Sequence, residues 1–210
     1  MNKKILGVLI PYYKNSEKCE IAFKKLMEVL IPQLTDDMLL YIYEDGQVSD
    51  WLWKIKNDNI MLESNPQNKG VSHARNCGID YLIDKVEYIL FIDSDDMVDK
   101  DYLKIMYQYC ADRTHEIIES WLCINGIMAK YDSKKIRNGC AGSSIQTKII
   151  GKKRFKRNLQ IAEDTNFMND VIDLSKHRKK LAKTTYYYQY GFNPNSLIQK
   201  YNRKEIGKER

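Results

Sequence analysis

Asp93-Ser94-Asp95-Asp96 follows directly on the apolar run Tyr88-Ile89-Leu90-Phe91-Ile92, so carboxylates are crowded where a buried parallel strand should end. Like charges this close repel, and burying any of them is costly unless something positive lies between them. A divalent cation is the simplest such partner. Oxygen-only ligands suit Mg²⁺ or Mn²⁺, and ligands of open α/β sheets collect at the carboxyl ends of strands. The competing reading is an Asp-rich turn that caps the next helix, since Asp is a favoured N-cap.

Three further constellations carry chemistry. Asp45-Gly46 closes the apolar run 39–43, and there a carboxylate can accept from the imide N–H of uracil while glycine lets the backbone come close. A plain turn uses the same pair. The segment from Asn68 to Ile79 has Gly70 on the approach to a helix and Arg75 one turn inside it, placed to pair with an anion or an acidic side chain. Glu163-Asp164 opens a later helix, a position where acids also complement the macrodipole.

The elements that must position these groups follow from periodicity. Residues 5–10 form a short apolar run stopped by Pro11, a strand ended by a residue without an N–H. Ser16 caps a helix whose Cys19, Ala22, Phe23, Leu26 and Leu30 share one face. Strands at 39–43, 60–62 and 88–92 alternate with helices at 50–56, 71–83 and 100–109, a pattern that predicts a parallel sheet covered on both faces. Later residues read differently: a hairpin at 117–131 about Asn125-Gly126, a strand at 144–150, a helix at 164–174 and a strand at 184–190. A nucleotide-type half, 1–112, thus precedes a mixed half, 113–210, within a single domain of 210 residues.

Taken in order, Ile10-Pro11-Tyr12-Tyr13, Glu44-Asp45-Gly46, Asn68 to Ile79, Asp93 to Asp96 and Glu163-Asp164-Thr165 resemble the signature series of the family 2 inverting glycosyltransferases. The late stretch from Tyr187 to Leu197 is similar to the closing strand and turn of short members. The resemblance implies a GT-A fold, a nucleotide-sugar donor and a divalent metal, Mn²⁺ or Mg²⁺. It implies donor contacts from Pro11, Tyr12, Tyr13, Asp45, Lys69, Arg75, Asp93, Ser94 and Asp95, metal ligation by Asp95 and Asp93, and Asp164 as general base. Glu44 stands where the family usually has Asp. A structural salt bridge from Arg75 to the tetrad is the competing role for that guanidinium.

Absent motifs narrow the class. Without G-x-G-x-x-G or the phosphate loop, dinucleotide oxidoreductases and P-loop enzymes are disfavoured. The chain also lacks the Q-x-x-R-W-type motif and membrane helices of processive synthases, which favours addition of one sugar at a time. A nucleotide-sugar-binding protein that has lost transfer is the alternative, and a sugar nucleotidyltransferase a more distant one.

Charge points to a partner. Residues 1–146 hold 18 Lys and Arg against 22 Asp and Glu, whereas 147–210 hold 16 against 6. The basic clusters Lys152 to Arg157 and Lys176 to Lys180 suit an anionic membrane surface or an acidic acceptor, with solvated helix faces as the plain alternative. Nucleic acid is not expected, because no recognised binding module accompanies the charge. The acceptor is a glycan, lipid-linked or protein hydroxyl. Five widely spaced cysteines without a C-x-x-C pair, and no signal-like or membrane-spanning run, place the expectation in the cytoplasm, peripheral to the inner face of the membrane. Of the three histidines, His177 is the one considered as an added metal ligand.

Overall fold

The computed structural model describes residues 2–46, 48–128, 139–159, 161–188 and 197–207. The chain runs β1 (Lys4–Tyr12), α1 (Glu17–Leu30), a 3-10 turn (Ile31–Gln33), β2 (Met38–Asp45), α2 (Asp50–Trp53), β3 (Ile60–Asn65), α3 (Val71–Leu82) and β4 (Val86–Phe91). It continues through β5 (Met97–Val98), α4 (Tyr102–Ala111), β6 (Ile117–Ile124), β7 (Ile127–Met128), β8 (Ser143–Gln146), α5 (Thr147–Ile150), α6 (Glu163–Ile172), β9 (Arg178–Tyr188) and α7 (Leu197–Asn202).

One sheet carries these strands in the order β3-β2-β1-β4-β8-β6-β9-β5, with β7 on β6. The first four run parallel; β8 turns antiparallel to both β4 and β6, and β9 lies parallel to β6. Strand periodicity of two sorts the apolar residues onto two faces. Leu6, Val8 and Ile10 of β1, with Leu40 and Ile42 of β2, meet Phe23, Leu26 and Leu30 of α1 and Leu103 and Met106 of α4. Leu9, Tyr41 and Tyr43 face the opposite way, against Ala74, Ile79 and Leu82 of α3 and Phe167, Met168 and Val171 of α6. Each fully buried Leu or Phe contributes about 1.5–3 kcal/mol, so the two layers are strong enough to hold a crowded polar edge between them. Close approach of α3 depends on Gly78, where a Cβ would come within 2.5 Å of Leu9 Cδ1.

Several boundaries differ from the sequence reading. Residues 147–150 fold as the short α5 rather than prolonging the strand, because Thr147 Oγ1 donates to the Val86 carbonyl at 3.1 Å and turns the chain back over β4. The second helix stops at Trp53 rather than at 56, and its N-cap residue is Ser49. The last strand begins earlier, at Arg178, since parallel pairing with β6 supplies partners from Ile117 onward. At the hairpin, Asn125 and Gly126 both take positive φ, 48° and 82°, as a two-residue turn of this twist requires. The expected continuations to 131 and 190 lie outside the described residues.

Candidate active site at the carboxyl edge of the sheet

Because β1 sits between β2 and β4, the chain reverses its winding direction there, the position at which open α/β sheets take ligands beyond the strands' carboxyl ends. The parallel register sets Tyr12 beside Glu44 and Leu9 beside Phe91, and the Ile92 N–H donates to the Leu9 carbonyl at 3.1 Å. Tyr13, Asp45-Gly46 and the tetrad therefore leave the sheet along one edge.

On the β2 side, the Asp45 carboxylate accepts from the backbone N–H of Lys69 at 2.9 Å and of Gly70 at 2.7 Å. It thus pins the loop into α3, whose N-cap Gly70 takes φ 92°. A carboxylate offers about four lone-pair sites, so acceptor capacity remains for a further donor. Gly46, at φ 104°, is wedged against its neighbours: a Cβ would meet Asn68 Cβ at 3.0 Å and Tyr13 Cε2 at 3.1 Å. Tyr13 is 45% exposed, whereas the Tyr12 ring is buried 4.2 Å from that of Phe23, and Pro11 is half-buried. Of the three motif residues, only Tyr13 presents its ring at the edge. The Lys69 side chain is exposed. His73, one turn into α3, stands 3.1 Å from the Tyr43 hydroxyl; burial, then the charges of Arg157 and Lys69, hold its pKa below the usual range.

On the β4 side the tetrad is a tight turn closed by the Asp96 N–H donating to the Asp93 carbonyl at 3.3 Å, with Ser94 and Asp95 at its tip. Asp96 is buried. Asp93 pairs with Arg75 at 2.8 Å. Burial, then the adjacent Asp93 charge, pushes Asp95 up to about 6.

Arg75 is the hub. Its guanidinium is 4% exposed, lies 5.2 Å over the Phe155 ring, and reaches Glu163 at 2.7 Å as well as Asp93. The neighbouring Asn76 side chain holds the Phe155 backbone at both N–H (2.8 Å) and carbonyl (2.9 Å). One helix thereby ties the end of β4, the basic 152–157 segment and the start of α6 together. The ion pair to the tetrad considered for Arg75 is formed.

α6 starts from Ala162 in the left-handed region at φ 59°, an uncommon conformation for a residue with a side chain. Asp164 Oδ1 accepts from the Thr165 N–H at 2.7 Å, and Oδ2 faces Gly139, where a Cβ would lie 2.5 Å away. Burial and then Glu163 push Asp164 up to about 6, with Arg75 opposing. Cys140, wholly buried among these charges, has its thiol pushed up by desolvation; all five cysteines are free. His177 is exposed just ahead of β9.

Among the described residues no three His, Cys, Asp or Glu side chains converge as a metal cage. The tetrad instead offers a pair of carboxylates, and Asp95 forms no ion pair with Arg75, whose two arms go to Asp93 and Glu163. One or two carboxylates completed by substrate phosphates and water is the habit of Mg²⁺ and its like, so the donor set fits. The Glu163 pairing, Gly139 and Asn76 were missed from sequence, for their partners lie far along the chain.

A Glycosyl transferase family 2 model matches residues 8–178. The minor teichoic acid biosynthesis protein GgaA of Bacillus subtilis is 20% identical over 95% of this chain and 51% of its own length. The chain thus spans about half the length of that curated relative. A crystal structure of S. aureus TarS in complex with UDP-GlcNAc superposes with TM-score 0.74 at 18% identity, covering 92% of this chain and 60% of the other. The mannosyltransferase PcManGT from Pyrobaculum calidifontis, in complex with GDP-Man and Mn²⁺, gives TM-score 0.64 at 12% identity, covering 100% and 67%. At such identities the likeness is one of fold, and the fold is GT-A.

Proposed function

Since the chain belongs to glycosyl transferase family 2, we propose that it moves one sugar, with inversion, from a nucleoside-diphosphate donor to an acceptor hydroxyl. The observation that supports this reading is the Arg75 bridge between Asp93 of the carboxylate turn and Glu163, the residue before Asp164 at the start of α6. Tyr13, Gly46 and Asp45 form the base end, where the remaining acceptor capacity of Asp45 suits the imide N–H of uracil, and hence a UDP-sugar. Pro11 and Tyr12 set the strand end beneath it, while Lys69, Arg75 and Ser94 border the phosphates. A divalent cation, Mn²⁺ or Mg²⁺, would be held by Asp95 and Asp93 and would supply Lewis-acid stabilisation of the departing diphosphate. Asp164 takes the proton from the acceptor hydroxyl as it attacks from the face opposite the diphosphate. The complexes of TarS with UDP-GlcNAc and of PcManGT with Mn²⁺ support the choice of donor class and metal.

Residues 1–112 serve the donor and 113–210 the acceptor in this reading. Asp95→Ala should abolish the Mn²⁺-dependent rise in melting temperature that UDP produces in the unaltered protein, since ligand bound to the native state stabilises by mass action. A shift unchanged by the substitution would remove Asp95 from the donor site. Donor binding without transfer to any acceptor would instead favour a nucleotide-sugar-binding protein.

The basic segments suit an enzyme acting in the cytoplasm on a lipid-linked glycan at the membrane face. Lys152, Lys153, Lys156, Arg157, Lys176, Arg178 and Lys179 are exposed, and among the described residues only Arg154 of the first cluster is held by an acid, Asp80 at 2.6 Å. No helix among the described residues is long and apolar enough to cross a membrane. Each exposed Lys or Arg near an anionic surface contributes about 1 kcal/mol, so the protein should sediment with anionic vesicles and release in salt. Equal binding to neutral vesicles at low salt would sink the idea.

A further inference from the structure

We infer that Tyr186 of β9 is a positioning residue for the carboxylate turn. Its hydroxyl holds the entrance of that turn and so sets the direction in which Asp93 and Asp95 point. The inference rests on the reading of Asp93 and Asp95 as the metal end of the donor site.

The turn has two ends, and β9 grips each differently. Past its exit, β5 pairs antiparallel with β9, Met97 against Tyr187 and Val98 against Tyr186. Asp99 reinforces that ladder by accepting from the Thr185 N–H at 2.6 Å and the Tyr187 hydroxyl at 2.7 Å. At its entrance the Asp93 N–H, just beyond the last residue of β4, donates instead to the Tyr186 hydroxyl at 2.9 Å. Tyr186 is 1% exposed, with its ring 6.3 Å from that of Tyr102, and its hydroxyl's own proton is left for the buried carboxylate of Asp96 beside it. That hydroxyl thus accepts from the first residue of the turn and lies beside the carboxylate of its last, from a strand 93 residues further along the chain.

Removing that oxygen frees the entrance while the β5–β9 ladder keeps the exit in place, so the fold survives and the ligand geometry loosens. Outer-shell partners of metal-ligating groups typically change metal affinity by about 10–100-fold when removed.

The test is a titration of Mn²⁺ in the presence of UDP, with free Mn²⁺ read by electron paramagnetic resonance, on the unaltered chain, Tyr186→Phe, Tyr187→Phe and Asp95→Ala. Tyr186→Phe should weaken Mn²⁺ binding by about tenfold, and excess Mn²⁺ should restore its transfer rate. Tyr187→Phe loses a hydroxyl bond on the same strand but at the exit, and should bind Mn²⁺ as the unaltered chain does. Equal binding by Tyr186→Phe, with binding lost in Asp95→Ala, overturns the role of Tyr186 and leaves the site intact. Unchanged binding in Asp95→Ala removes the metal reading and this inference with it. Should Tyr186→Phe melt below the assay temperature, Asp96→Asn, which alters the acceptor beside the hydroxyl and keeps the ring, is expected to shift binding in the same direction. No shift there overturns the proposal.

Discussion

Asp164→Asn is expected to lower sugar transfer by about 10²–10⁴-fold while Mn²⁺-dependent UDP binding stays near that of the unaltered chain. The amide keeps the shape and the acceptor for the Thr165 N–H, so the helix start survives, but it cannot take a proton. Geometry leaves room for this role: Gly139 presents only hydrogen toward Oδ2, and a methyl group there would lie 2.5 Å from it. The pH dependence has a definite sign. Burial, then Glu163, pushes Asp164 up to about 6, and a base works only when deprotonated. The rate at saturating donor should therefore climb as pH rises through about 6 and flatten above 7. Transfer by Asp164→Asn at the unaltered rate would remove this carboxylate from the chemistry.

Arg75→Met should cost about 3–5 kcal/mol of folding stability, because it strands Glu163 and Asp93 without their shared cation. Asp93 keeps some contact with water, its side chain being 28% exposed, which draws the figure toward the lower end. For a domain of this size about 3 kcal/mol corresponds to roughly 6–12 °C in melting temperature. Adding Glu163→Gln should restore part of the loss, since the most buried unpaired charge is then gone. Arg75→Lys should fall between, for an ammonium on a single stem does not span two carboxylates as the guanidinium fork does. A melting temperature unchanged in Arg75→Met would show that the two acids find other partners.

The order of elements was legible because each has a local cause. The continuous apolar runs of β1 and β2, buried on both faces, the Ser16 cap that accepts from the Cys19 N–H at 3.3 Å, and the Asn125-Gly126 turn all act within a few residues. Family membership was legible for a similar reason, as the motifs fall at strand ends and helix starts in a fixed order. The ends of β8 and β9 were not, since their lengths depend on neighbours: α5 breaks off one, and β6 recruits the other from Arg178 onward. Nor was β5, two residues long, which exists only because β9 lies alongside.

Within the site, residue types alone placed carboxylates at the ends of β2 and β4 and at the start of α6, while the order of the motifs pointed to the class of chemistry. Which group answers which was decided by the assembled sheet. Arg75 reaches Glu163 across 88 residues of sequence, Tyr186 reaches Asp93 across 93, and Asp45 turns to the amides of its own neighbouring loop. Local periodicity records whether a side chain is buried. Its partner across the sheet is set only when strands from both halves of the chain settle into register, and there the need to satisfy every buried charge selects one pairing from many.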